Sequence, residues 1–194
     1  VVPLKGWKRS MTFDKTGMPW VLPSPHIPQP ATAFYYPATG ILGELYYVSI
    51  GVGYTLPFQL ICADWIDADK FAERMNALNL PGTKFRPIHV KPFYGTGKGE
   101  NLQGVQFYVD DVPGSSLTLI QFYAMQELAK LYPEKRIFDT ATDKSRFDMF
   151  DKVCGTDKIR TLFSKNYQVS DMIDYWNKDA EAFKEKAKKY YLYK

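Results

Sequence analysis

Apolar positions change their period along this chain, and the changes divide it. From Asp67 onward, Phe71, Met75 and Leu78 recur at helical spacing. Asp67 stands as an N-cap and Pro81-Gly82 as a stop, so a helix is predicted between them. Lys84–Val90 and Val105–Val109 read as strands; in the second, Val105, Phe107 and Val109 alternate with Gln106 and Tyr108. A second helix is predicted from Ser115-Ser116, with Leu117, Ile120, Ala124, Leu128 and Leu131 along one stripe and Pro133 at its end. Residues 134–145 are polar and read as loop. Shorter helices are expected over Arg146–Val153, closed by Gly155, and over Lys158–Phe163. A last helix is expected over Asp171–Lys189, with Met172, Trp176, Phe183 and Ala187 facing inward. Its C-terminal lysines, Lys184, Lys186, Lys188 and Lys189, complement the helix dipole. The aromatic tail Tyr190–Tyr193 is expected to dock.

The first part of the chain keeps neither period. Val1–Leu4 reads as the end of a strand, and the stretch after it is basic, with Lys5, Lys8 and Arg9 around Trp7. Between Gly17 and Gln59, Pro19, Pro23, Pro25, Pro28 and Pro30 fix φ and push their predecessors towards extended geometry. An ordered, non-helical wall is expected here. Within it Leu45–Ile50 reads as a strand and Gly51-Val52-Gly53 as a turn, and Phe58–Ala63 reads as a buried strand beyond. The wall carries Trp20, Ser24, His26, Tyr35, Tyr36 and Glu44. Aromatic faces with a few fixed polar groups make sites for neutral, ring-shaped ligands. Each residue also has a plainer reading: the aromatics as core, His26 as a hydrogen-bonded loop histidine, and Glu44 as an acceptor without catalytic duty.

Strands and helices mix without regular alternation, which argues for an α+β fold, helices packed on a mixed sheet. A net charge of +4, with the lysines and arginines scattered, provides no nucleic-acid footprint. The aromatic share of 16% suits core packing and sugar stacking alike, and so decides neither. Cys62 and Cys154 have neither CxxC spacing nor a neighbouring histidine, so buried free thiols are expected and no metal site. The apolar run Ile41–Ile66 is broken by Glu44, Pro57, Gln59 and Asp64, which excludes it as a membrane span. Gly95–Glu100 lacks the spacing of a phosphate-binding loop and is expected to be a mobile hairpin loop near a cleft. No cofactor is called for. His89 reads as structural, Asp110-Asp111 as a turn, and the opening Val-Val-Pro-Leu as a piece of something longer.

Several blocks in fixed order carry a family resemblance: GWKRSMTFDKTGMPWVLPSPHIP, YYPATG, PFQLICADWIDA, NALNLPGTKFRP, GVQFYV and the closing Trp176, Phe183 and Tyr191-Leu192-Tyr193. Together they resemble the bacterial exo-β-N-acetylmuramidases, formerly a domain of unknown function, from end to end. The resemblance implies a two-domain glycoside hydrolase. Its Rossmann-like N-terminal domain would be largely absent here, leaving residues 1–35 as its tail end and connection and residues 36–194 as the C-terminal α+β domain. It implies a cleft between the two that releases N-acetylmuramic acid from non-reducing ends of peptidoglycan fragments. The chief acid would lie in the other domain, so this piece alone is expected to be inactive. It implies a cell-envelope setting, periplasmic or secreted. It also adds Gly51, Gly53 and Gln59 to the substrate side. Where many members read roughly FEGTNLSEGRGTT, this chain keeps Glu44, Gly51 and Gly53 but has Ile50 for an acid and Val52 for an arginine; PFE becomes Pro57-Phe58-Gln59, and PSPN becomes Pro23-Ser24-Pro25-His26. The alternatives are a non-catalytic cell-wall saccharide-binding or scaffold protein, and a purely structural domain.

Overall fold

The computed structural model describes residues 1–141 and 144–193. At its centre three strands, β1 (Leu60–Ala63), β2 (Thr83–Val90) and β3 (Leu102–Val109), form a sheet in the order β1-β3-β2. Both pairings are antiparallel: Ile61 lies opposite Val105 on one side of β3, and Phe85 opposite Phe107 on the other. The pleat sends Ile61, Phe85, Val105 and Phe107 to one face, into the main core. Gly104 lets β1 come close, because a methyl group there would lie 2.1 Å from the Ile61 carbonyl oxygen.

Helices α1 (Thr32–Gly43), α2 (Ala68–Ala77) and α3 (Leu117–Leu131) pack with the sheet around that core, giving the expected α+β class. The Asp67 side chain accepts from the Lys70 amide at 3.0 Å and caps α2, which buries Phe71 and Met75. The stripe of α3 buries Ile120, Ala124 and Leu128. Beyond it come α4 (Ile137–Thr140), α5 (Ser145–Cys154), α6 (Lys158–Asn166), α7 (Ile173–Asn177) and α8 (Ala180–Lys188). Phe138 meets Phe150 and Phe163 edge to face, and Phe163 in turn meets Phe122 on α3, which ties this layer to the core.

Five expectations are corrected. The wall is not free of helix: its close-set run of prolines ends at Pro30, and α1 follows, burying Ala38, Ile41 and Leu42 despite Pro37 inside it. Burial there outweighs a weak helical propensity. Leu45–Ile50 forms no strand; Tyr46 turns into the left-handed region at φ +50°, and only Ser49 bridges Cys62. The long last helix is broken into a 3-10 turn at Val169–Asp171, then α7 and α8. Met172 is buried and Trp176 packs on Phe122, but Phe183 is 68% exposed. Val1–Leu4 is not a strand. The predicted loop 134–145 contains α4; its residues 142 and 143 lie outside the described ones. The tail docks through alternate tyrosines. The Leu4 amide donates to the Tyr193 hydroxyl at 2.7 Å, Trp7 meets Tyr193 edge to face at 4.8 Å, and the Arg9 guanidinium lies 3.7 Å over Tyr191.

Candidate functional site

One face of α1 carries Tyr36, Gly40 and Gly43, spaced so that they stack one above the other. With the loop after α1 and the β2–β3 loop, this face walls a pocket of about 350 Å³. Val48, Ile50 and Val52 line it from the loop after α1, and Gly95 and Thr96 from the β2–β3 loop. Glu44, one residue past α1, and Tyr46 stand at its edge. A methyl group on Gly43 would lie 2.4 Å from Ile50 Cδ1, so the absence of a side chain lets the loop fold back onto the helix.

Arg146, at the start of α5, reaches this edge from 102 residues away. Its Nη2 donates to Glu44 Oε2 at 2.6 Å and its Nε donates to the Glu44 carbonyl at 2.7 Å. The guanidinium also lies 4.3 Å over the Tyr46 ring. Both members of the ion pair are part-exposed, 29% for Arg146 and 35% for Glu44. An ion pair at that exposure contributes little to stability, about 0–1 kcal/mol, so its effect is chiefly geometric.

Among the described residues, four other than glycine hold positive φ, and two of them, Tyr46 at +50° and Phe58 at +65°, line this pocket. The Phe58 carbonyl accepts from Thr39 Oγ1 at 2.9 Å, which holds the strained turn in place. Strain of this kind costs about 1–3 kcal/mol per residue and clusters at ligand clamps.

The residues expected from sequence are spread over several places. Tyr36 and Glu44 line the pocket itself. His26 shares a 2.7 Å hydrogen bond with the hydroxyl of Tyr94, the residue before Gly95, and the Ser24 hydroxyl accepts from the His26 amide at 3.2 Å. These two therefore stand beside the β2–β3 loop wall of the pocket. Gly51 and Gly53 shape the loop: a methyl group would lie 2.1 Å from the Leu56 oxygen at the first and 1.8 Å from the Tyr94 oxygen at the second. Trp20 lines a different pocket, of about 730 Å³, with Phe13 and Phe34, and donates to the Ile27 carbonyl at 3.2 Å. Tyr35 turns to the core, edge to face with Phe107 at 5.4 Å, and the Gln59 carbonyl accepts from the Phe107 amide at 3.2 Å. Sequence reasoning missed Tyr46, Phe58 and Arg146. The arginine carries no local signal, since only the fold brings it to Glu44.

Burial pushes both cysteine thiols up to about 12, with Asp151 adding to the effect at Cys154, so neither is set up as a thiolate nucleophile. Among the described residues, no group of three His, Cys, Asp or Glu could hold a metal ion, and no helix is long and apolar enough to cross a membrane. What the pocket offers is one carboxylate fixed by a guanidinium, two tyrosine rings and the side chain of Thr96. Such a set is chemically suited to a hydroxyl-rich ring; hydrolysis of a glycosidic bond ordinarily takes a second carboxyl group.

Residues 34–193 match the family described as exo-β-N-acetylmuramidase NamZ, C-terminal, and residues 1–31 match its N-terminal counterpart. The peptidoglycan β-N-acetylmuramidase NamZ of Bacillus subtilis (strain 168) is 37% identical over 193 residues, covering all of this chain and 45% of that protein. A crystal structure of a DUF1343 family protein from Bacteroides fragilis superimposes with a TM-score of 0.94 at 54% identity, over 97% of this chain and 49% of that one. The chain thus spans about half the length of the relatives it matches.

Proposed function

The chain belongs to the exo-β-N-acetylmuramidase family, and on that premise we propose that it forms one wall of the cleft in a glycoside hydrolase acting on peptidoglycan fragments. The substrate class is that of the Bacillus relative, a peptidoglycan β-N-acetylmuramidase, and N-acetylmuramic acid at a non-reducing end is the unit released. The observation that carries the reading is the pocket beside α1, where Glu44, clamped by Arg146, meets Tyr36 and Tyr46. In this reading Glu44 orients a sugar hydroxyl, or serves as the second carboxyl, while a Rossmann-like N-terminal domain closes over the pocket and supplies the chief acid. Residues 1–35 would then be the end of that domain and its connection, and the isolated chain would be inactive. The setting is the cell envelope, periplasmic or secreted.

A chromogenic muramide offered to the full-length protein tests this. Release of the chromophore is expected, and a Glu44→Gln variant should turn over more slowly with an unchanged melting temperature. A large fall in melting temperature would make Glu44 architectural. One observation favours a second reading, a saccharide-binding protein without catalysis: Glu44 is the one carboxyl group lining the pocket among the described residues, and it is already paired. Measurable binding with no turnover by the full-length protein would leave that reading in place.

A further inference from the structure

We propose that Tyr46 is the stacking platform for a pyranose ring in this pocket, and that Arg146 is the positioning residue that holds it there. The proposal rests on the family reading above, because the saccharide is taken from it.

Three aromatic rings line the pocket, and two of them, Tyr36 and Phe58, pack on each other. Phe58 is buried, with Tyr36 standing edge-on against it at 4.8 Å and 88°. Tyr36 also lies close to Gly40, where an added methyl group would sit 3.7–3.9 Å from three of its ring carbons. Tyr46 is the most open of the three, with Tyr36 53% exposed and Phe58 buried. It lines the pocket yet is 64% exposed, and its backbone sits at φ +50°, a conformation tyrosine adopts only when its surroundings impose it.

Arg146 packs against this ring. Its guanidinium covers one face of the ring at 4.3 Å, while its Nε and Nη2 are anchored on the Glu44 carbonyl and carboxylate. With one face against the cation, the exposed area belongs to the other face and the ring edge. A pyranose has an apolar C–H face and a rim of hydroxyl groups. Laid on Tyr46, such a ring would bury its apolar face and turn its rim towards Glu44, an acceptor, and Thr96, a hydroxyl. The same guanidinium thus sets the platform and the acceptor in one geometry. Truncating either end of this arrangement should weaken holding more than chemistry.

The test uses the full-length protein with a muramyl disaccharide and the chromogenic muramide. Tyr46→Ala should raise KM about tenfold, the loss of one stacking contact, with kcat changed far less. Tyr46→Phe, which keeps the ring, should stay close to wild type. Arg146→Met, which keeps the stem and removes the fork, should raise KM in the same direction as Tyr46→Ala, and Arg146→Lys should recover part of the loss. A Tyr46→Trp variant gives a readout independent of turnover: its emission should shift on saturation with the disaccharide. An unchanged KM in a folded Tyr46→Ala variant overturns the platform, as does emission from Tyr46→Trp indifferent to the sugar. Turnover without that emission response overturns the platform and leaves the enzyme reading standing. The response without turnover supports the platform and overturns the enzyme. Neither overturns both.

Discussion

Gln121 on α3 grips α1 at Pro37: its side-chain amide donates to the Pro37 carbonyl at 2.9 Å while its Oε1 accepts from the Leu42 amide at 2.9 Å. A proline inside a helix removes one donor and crowds the preceding turn. Here a buried side chain from the neighbouring helix bonds the α1 backbone at the proline and at Leu42, in the turn that follows it. Gln121→Leu, similar in volume, should lower stability by about 2 kcal/mol through the polar groups left unmatched. For a chain of this length that is a fall of roughly 4–8 °C in Tm, read by a thermal melt. Because Tyr36, Gly40 and Gly43 ride on α1, the same variant should also weaken saccharide binding.

The outer edge of β2 is closed by one asparagine. The Phe85 amide donates to Asn76 Oδ1 at 3.0 Å, and Asn76 Nδ2 donates to the Phe85 carbonyl at 2.8 Å. Pro87, two residues on, has no amide hydrogen to offer, and Lys84 and Arg86 flank the edge with charge. Asn76→Ala should cost about 1–2 kcal/mol in chemical denaturation. Hydrogen exchange at the Phe85 amide should accelerate more than at any β3 amide.

Gly53→Ala is expected to be severe. The residue sits at φ +99°, and the new methyl group would lie 1.8 Å from the Tyr94 carbonyl oxygen. Relief requires moving Tyr94, and with it the hydrogen bond to His26. A loss of about 3 kcal/mol or more is expected from the strain and the clash together. A Gly53→Ala variant with wild-type Tm would mean that the loop is far softer than its contacts indicate.

Glu127 gives the protein an acid-sensitive element. Its side chain is 1% exposed and lies between Arg74 at 2.5 Å and Lys130 at 2.7 Å. Burial pushes the carboxyl up, but hydrogen bonds from Lys130, Gln126 and Arg74 together more than reverse this and hold it below its ordinary value of 4.5. A carboxyl whose pKa is lower folded than unfolded stabilises the fold at higher pH, because the unfolded chain takes up protons first. The contribution is therefore complete above about pH 4.5 and declines as the pH drops below it towards the folded value. Tm measured from pH 7 to pH 3 should show Glu127→Gln less stable at neutrality by about 2 kcal/mol, with the gap narrowing in acid.

Thiol reagents supply a separate check. With both cysteines pushed from 9.0 to about 12, the reactive thiolate is scarce in the native state. Labelling at pH 8 should be slow until denaturant is added, and then both sites should react together. Fast native labelling at Cys154, the less buried of the two, would contradict the burial that causes its shift.

Elements whose causes are local were legible in the sequence. Asp67 caps α2 through an amide three residues away, β3 alternates as its residues do, and Pro133 ends α3. The prolines misled where distant contacts decide. Helix α1 runs through Pro37 with its face buried and with Gln121 bonding its backbone from 84 residues away, and no window of sequence contains both. The last helix was overextended because Phe183 keeps helical spacing with Met172 and Trp176 but meets no partner to cover it. The site divides in the same way. Tyr36 and Glu44 were visible as an aromatic and an isolated acid in a stiff stretch. Arg146 was hidden among ordinary helical cations, and Tyr46 lay in what read as a strand.

The tyrosines at the end of the chain hold residues 4–9 by their rings, with Trp7 against Tyr193 and Arg9 over Tyr191. This makes one indole an optical gauge of a seam joining sequence extremes. Protease nicking after Lys188 or Lys189 would free the seam, and the detachment would register as altered emission at Trp7 while the sheet, far off along the chain, stayed intact.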